Sequence, residues 1–222
     1  MIQNYRDLYA GKVIAVIGSG PTAIKYSGKE DIAIVLNGAI NLAAKTDYFM
    51  GFDLSIPELS YYYSNTAITR LVGANIVSMD RIVYPDLLDR QRKILRGGHV
   101  TENEFHLSNI VPKSPHGYWF FQTRKSPIFD KGMMYLSAMG NISVPGVETA
   151  IIMGAKRINL YGIDLGKRGY FYAPSNSKQI KAYQPQRSKF MNDLLTLCLQ
   201  NGIEIGVCRG QTSRVTVGEN IG

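Results

Sequence analysis

Residues Lys12 to Ile17 form a short β-branched run that stops at Gly18-Ser19-Gly20-Pro21. An apolar run of this length, closed by turn residues, reads as a buried strand feeding a tight turn. Glycines after such a strand let backbone N–H groups approach an anion without interference from Cβ. Pro21 suits the first turn of a following helix, because its missing N–H would have been unpaired there anyway. Free N–H groups and a helix dipole favour phosphate, by ~0.3–1 kcal/mol from the dipole alone. Gly18, Ser19, Gly20, Pro21 and Thr22 are therefore candidates for holding a nucleotide phosphate, and a plain strand-to-helix turn is the alternative. The turn is not the dinucleotide fingerprint, because Ile24 and Lys25 follow Ala23 and the third glycine is missing. Nor is it a P-loop, which needs Gly-Lys-Ser/Thr after its spacer.

The same strand-then-turn pattern returns along the chain. Asp31 to Asn37 is a second strand-like run ending at Gly38, and a weak helix is expected over Ala39 to Lys45. Tyr48 to Leu54 predicts a short third strand carrying Asp53 at its end, and Asn75 to Met79 predicts another, stopped by Asp80. Periodicity is weakest over 81–140, which holds Pro85, Gly97-Gly98, Pro112, Pro115 and Pro127, although Tyr118 to Thr123 has strand-like composition. No linker-like shift follows this stretch. It is expected to be an insertion or lid inside one domain spanning residues 1–222. A helix is predicted from Pro145-Gly146 through Ala155, then a strand from Arg157 to Tyr161 ending in Gly162-Ile163-Asp164-Leu165. After a loop over 166–182, Gln186 to Asn201 is amphipathic at helical spacing and is stopped by Gly202. Ile203 to Val207 reads as the final strand. Strands alternating with helices predict an α/β fold, a mostly parallel open sheet with helices on both faces, Rossmann-like and nucleotide-binding.

Composition narrows the class. At 222 residues, 45% hydrophobic and 19% charged, the chain is globular and long enough to bury a core without staples. Its apolar stretches are strand-sized, far short of a ~20-residue membrane span. The N-terminal segment lacks a basic stretch followed by an apolar one, so a cytoplasmic protein is expected. Cys198 and Cys208 fall in apolar runs and read as buried free thiols. His99, His106 and His116 stand apart from both cysteines, so no metal site and no cofactor are expected. The net charge of +8 favours an anionic partner: a phosphate-bearing small molecule, nucleic acid or an acidic membrane surface. The basic residues are dispersed, however, with local groups at Arg90 to Lys93, Lys167-Arg168 and Lys178 to Lys189, which a solvated basic surface explains equally well.

Further candidates sit at the ends of the other strand-like runs, where neighbouring strands of a parallel sheet border one crevice. Asn37 can read a base or sugar edge with a donor and an acceptor, or cap the helix after it. Asp53 and Asp164 can each serve as general base or ribose ligand, or as ordinary turn residues. The Tyr170-Phe171-Tyr172 cluster can place hydroxyls and aromatic faces against a nucleotide, or simply pack its loop.

With these residues laid out, the chain resembles the bacterial lipooligosaccharide sialyltransferases and the wider group sharing their nucleotide-binding core. The shared pattern is Gly-x-Gly-Pro after the first strand, an Asn ending the second, and a small-residue/Ser segment opening a helix. A Leu-Gly-x-x-x-Ile-x-Leu-x-Gly-Ile-Asp motif follows, which here runs from Met153-Gly154 to Gly162-Ile163-Asp164. The resemblance covers residues 12–53 and 141–207. It implies a metal-independent, inverting glycosyltransferase with a nucleotide-sugar donor. By that resemblance Gly18 to Thr22, Asn37 and Ser143 hold the nucleotide and its phosphate, and Tyr172 steadies the leaving phosphate. The chain departs from the family at Gly166, where a second phosphate-binding tyrosine is expected. It departs again at Gln186-Arg187-Ser188-Lys189, where the catalytic histidine before the last helix is missing. Asp53 and His116 are the candidate replacement bases, and Lys167 and Arg168 the groups to neutralise the leaving phosphate. The acceptor is expected to be a glycan or modified-base DNA of the phage type. The alternatives are an inactive nucleotide- or nucleic-acid-binding module on the same core, and a pyrophosphate-transferring enzyme that needs a divalent cation.

Overall fold

The computed structural model describes residues 2–51, 68–73, 93, 117–137, 141–163, 178–208 and 219–220. Its centre is a nine-stranded sheet, and every strand pair in it is parallel. The first six strands are β1 (Val13–Ile17), β2 (Ile32–Leu36), β3 (Tyr48–Gly51), β4 (Thr69–Gly73), β5 (Gly117–Gln122) and β6 (Tyr135–Ser137). After them come β7 (Arg157–Tyr161), β8 (Glu204–Val207) and β9 (Glu219–Asn220). Across the sheet the order is β6-β5-β4-β3-β2-β1-β7-β8-β9. The register sets Ile14 beside Ile32 on one side and Ile158 on the other.

Alternation along the strands divides the apolar residues between two faces. On one face Ile14, Val16, Ile34, Leu36, Ile158 and Leu160 form the larger core. It is completed by α1 (Ser143–Ile152) through Val147 and Ile151, and by α2 (Lys178–Gln200) through Phe190, Met191, Leu194 and Cys198. Burying each Val- or Leu-sized side chain here stabilises the fold by ~1.5–3 kcal/mol. Gly146 lets α1 settle on the sheet, since a Cβ there would stand 3.0 Å from both Leu36 Cδ2 and Val16 Cγ1. On the opposite face Ala15, Ile17, Ala33, Val35 and Tyr161 meet Ala23, Tyr26 and Ala39, contributed by the 3₁₀ segments Pro21–Lys25 and Asn37–Asn41 and their flanks. The α/β reading with a parallel open sheet holds. Both described α-helices lie on the first face, and these 3₁₀ segments cover the second.

Several elements differ from the sequence reading. The helix expected over Ala39 to Lys45 is instead the five-residue 3₁₀ segment Asn37–Asn41. The strand at Thr69–Gly73 was unforeseen because Arg70 interrupts its apolar run. The strand expected over Asn75 to Met79 lies outside the described residues. β9 follows the strand read as final. Within 81–140, residues 117–137 supply β5 and β6 to one end of the sheet. α2 starts at Lys178, ahead of the expected Gln186, and carries Pro185 inside it. A proline has no N–H for the helical ladder, so it hides the turns that precede it.

Residues 7–11 run along the end of α1 and accept the duty of terminating it. The N–H groups of Asp7, Tyr9 and Gly11 donate to the carbonyls of Ile152, Met153 and Gly154 at 2.9, 2.9 and 3.1 Å. The Ile152 carbonyl is one that a helix end leaves without an internal partner, and Met153 and Gly154 are the C-cap and the residue after it.

Candidate functional site

The strand order fixes where a crevice opens. From β1 the chain moves outward through β2 to β6, and the order then resumes on the other side of β1 with β7. The boundary between β1 and β7 is therefore the topological switch point, and open α/β sheets bind ligands outside the carboxyl ends of the strands there. Gly18 follows β1 and Gly162 follows β7.

These strand ends are fastened to each other. Gly18 N–H donates to the Tyr161 carbonyl at 2.8 Å, and Gly20 N–H to the Gly162 carbonyl at 2.7 Å. Gly162 N–H in turn donates to Thr22 Oγ1 at 2.9 Å. A Cβ on Gly18 would lie 2.6 Å from the Gly162 carbonyl oxygen. Gly162 has φ +61, and a Cβ there would lie 2.1 Å from the Gly18 carbonyl oxygen. The first glycine is thus required by backbone approach within the protein, and two of the turn's N–H groups are already engaged. Ser19, half-buried between them, makes no hydrogen bond among the described residues. The helix expected after Pro21 is a five-residue 3₁₀ segment, so its dipole is small.

Asn37 follows β2 directly with φ +47, the left-handed region that non-glycine residues rarely enter and that Asn tolerates best. Ser143 opens α1, is 5% exposed, and donates through both N–H and Oγ to Asn141 Oδ1 at 3.0 and 2.7 Å. Asn141, one residue ahead of the Ile142 N-cap position, thus takes a free N–H of the first turn, and the sequence reading passed over it. The far end of α1 meets residues 7–11, and Lys156 N–H donates to the Lys12 carbonyl just before β1 at 2.9 Å. The start of α1 therefore lies at the opposite, carboxyl edge. The turn Gly18 to Thr22, Asn37 and Ser143 share that edge. Asp53, His116, Asp164, Lys167, Arg168 and Tyr172 lie outside the described residues.

Two buried acids escaped the sequence reading. Glu30, 7% exposed, lies on the crossover from β1 to β2, and its Oε1 accepts from Tyr161 OH at 2.7 Å and Asn159 Nδ2 at 2.9 Å. Burial, reinforced by that bond, pushes the Tyr161 phenol well above its usual range, so it remains a donor. Glu148, fully buried in α1, accepts from Ser137 N–H at 2.6 Å and Ser137 Oγ at 2.5 Å. Arg124 Nη1 stands 3.8 Å from its Oε1 and donates to Ser137 Oγ at 3.3 Å. Burial raises the Glu148 carboxyl to about 7, against the Ser137 bonds and the Arg124 charge, which lower it. Cys198 and Cys208 are buried and free, and burial raises the Cys198 thiol to about 12, which leaves it unreactive.

Gln186, Arg187, Ser188 and Lys189 lie inside α2 rather than before it, and exposed Lys189 pairs with Asp193 at 2.5 Å. Among the described residues no group of three or more His, Cys, Asp or Glu is placed to hold a metal ion, and no helix is long and apolar enough to cross a membrane.

No protein-family model and no curated protein matches the chain. A solved structure of the sialyltransferase CstII from Campylobacter jejuni, in complex with the substrate analogue CMP-3FNeuAc, is similar over 94% of this chain and 86% of that one. The identity is 14% and the TM-score 0.48. That likeness assigns no activity to this chain.

Proposed function

We propose that the carboxyl edge at the β1/β7 switch point binds a nucleotide, and that the protein transfers sugar from a nucleotide-sugar donor to a glycan or modified-base DNA acceptor. The observation that carries this reading is the convergence of the Gly18 turn, left-handed Asn37 and the start of α1 on one strand edge. A non-glycine residue held at positive φ costs of order 1 kcal/mol, and such positions cluster where a side chain must be aimed at a ligand. The start of the ten-residue α1 presents the positive end of a helix dipole toward a phosphate. In this reading Ser19 contacts the phosphate, Ser143 joins it by turning its hydroxyl away from Asn141 Oδ1, and Asn37 reads the base or sugar. Lys167, Arg168 and Tyr172 offset the charge left on the departing nucleotide. Asp53 or His116 removes the acceptor's proton as the new glycosidic bond forms and the bond to phosphate breaks, giving inversion. No metal is required, because cationic side chains neutralise the leaving group.

A module that binds the nucleotide without turning it over is favoured by a specific feature: no histidine follows His116 in the sequence. Incubation with a panel of nucleotide sugars, with and without glycan and DNA acceptors, separates the two readings. Release of free nucleotide from one donor supports transfer. Saturable binding of a donor that is never consumed supports the module.

A further inference from the structure

We infer that Glu30 is a positioning residue, which holds the Gly18–Thr22 turn in its ligand-binding shape by fixing the side chain of Tyr161. This rests on the nucleotide-binding reading for its purpose, though not for its mechanics. Tyr161 is the last residue of β7 and works at both ends. Its carbonyl accepts the Gly18 N–H at 2.8 Å, while its hydroxyl donates to Glu30 Oε1 at 2.7 Å. The next residue, Gly162, accepts from Gly20 N–H and donates to Thr22 Oγ1. Three residues of the turn therefore hang on Tyr161 and Gly162, and the Tyr161 side chain hangs on Glu30. Asn159 Nδ2 completes the acceptance at Glu30 Oε1, and its Oδ1 is held by Arg157 Nε at 3.0 Å. The Tyr26 ring lies 5.2 Å from that of Tyr161 and closes the cluster beneath the turn.

The choice of an acid is informative. Glu30 Oε2 and Tyr26 OH are both buried with no hydrogen-bond partner among the described residues. A buried carboxylate with one idle oxygen costs more than an apolar side chain of the same volume, so packing alone does not account for it. What the acid supplies is an oxygen that accepts from Tyr161 and Asn159 at once, tying β7 to the crossover between β1 and β2. A carboxylate is also the strongest acceptor available for a phenol that stays protonated.

The test uses the full chain with Glu30→Ala, Glu30→Gln, Tyr161→Phe and the Glu30→Ala/Tyr161→Phe pair. The readouts are native-state amide exchange at Gly18 and Gly20 and affinity for two probes, cytidine 5′-monophosphate and uridine 5′-diphosphate. Tyr161→Phe keeps the ring and removes only the donor, so it remains informative if Glu30→Ala does not fold. Tyr161→Phe and Glu30→Ala should each speed exchange at Gly18 and Gly20 about tenfold, the factor set by one hydrogen bond to a charged group. Each should weaken probe binding by a similar factor, and the pair should be no worse than either alone. Glu30→Gln should fall between wild type and Glu30→Ala, because its amide oxygen still accepts from Tyr161 but without the charge. Unchanged exchange at Gly18 and Gly20 in Tyr161→Phe, or Glu30→Gln behaving like Glu30→Ala, overturns the inference. Wild-type protein that binds neither probe counts against the nucleotide reading, while the exchange result still decides the role of Glu30.

Discussion

Replacing Glu148 with glutamine (Glu148→Gln) should remove a pH dependence of stability that the wild-type chain carries. The carboxyl is raised from 4.5 to about 7 because burial outweighs the bonds from Ser137 and the charge of Arg124. The folded state then holds a proton more tightly than the unfolded state. The stability this group contributes is fully present below about pH 4.5 and is lost as pH rises through about 7. The displacement is worth about 3 kcal/mol. A glutamine offers one acceptor to the Ser137 N–H and one donor to Ser137 Oγ, the same inventory as the protonated acid. Urea unfolding of both proteins across pH 5 to 8 measures the difference. Wild type should lose up to ~3 kcal/mol relative to the variant over that window, and the variant should be at least as stable above pH 7. Parallel stability curves would refute the reasoning. Glu148→Ala, in contrast, should cost ~2–4 kcal/mol throughout, since it leaves a cavity and an unpaired Ser137 N–H.

Gly162→Ala should destabilise the protein by ~3 kcal/mol or more in denaturant unfolding, since φ +61 disfavours any side chain and the added Cβ would lie 2.1 Å from the Gly18 carbonyl oxygen. Transfer activity should persist in excess chelator; loss restored by magnesium or manganese would favour the pyrophosphate-transfer alternative. If DNA is the acceptor, log affinity in fluorescence anisotropy should fall with log salt by about 0.9 per phosphate contact, and changing Lys178, Lys181 and Lys189 to Gln should flatten that slope. An unchanged slope counts against DNA at this helix.

The central strands were readable because they are buried on both faces. Strands β1, β2, β7 and β8 each show as an unbroken apolar run, or nearly so, bounded by Gly, Asn or charged residues. Strands β4 and β6 were not, since Arg70 breaks one and the other is only three residues ending in Ser137. Proline concealed the start of α2, and the α-helix expected over Ala39 to Lys45 is instead the 3₁₀ segment that left-handed Asn37 opens. At the site, the positions of Gly18 and Asn37 followed from strand ends, whereas Ser143 came from the family resemblance, since the helix it opens was expected to begin at Pro145. The use of the glycines did not follow, because Gly18 is shaped by its contact with Gly162, a residue 144 positions away (162 − 18). Glu30 was invisible for a similar reason. In Lys29-Glu30-Asp31 it looks like part of a solvated turn, and only the approach of Tyr161 and Asn159 makes it a buried acceptor.

Calorimetric titration of wild type and Asn37→Gly with nucleoside mono- and diphosphates, alongside their unliganded melting curves, tests the switch-point site most directly. Glycine accepts φ +47 at no steric cost, so unliganded stability should change by less than about 1 kcal/mol. Wild type should bind at least one nucleotide saturably and gain ~2.7 kcal/mol of stability at a hundred times Kd, whereas Asn37→Gly should bind it at least about tenfold more weakly. Equal affinity in the two proteins, or no nucleotide binding by wild type, would contradict a nucleotide site at this strand edge.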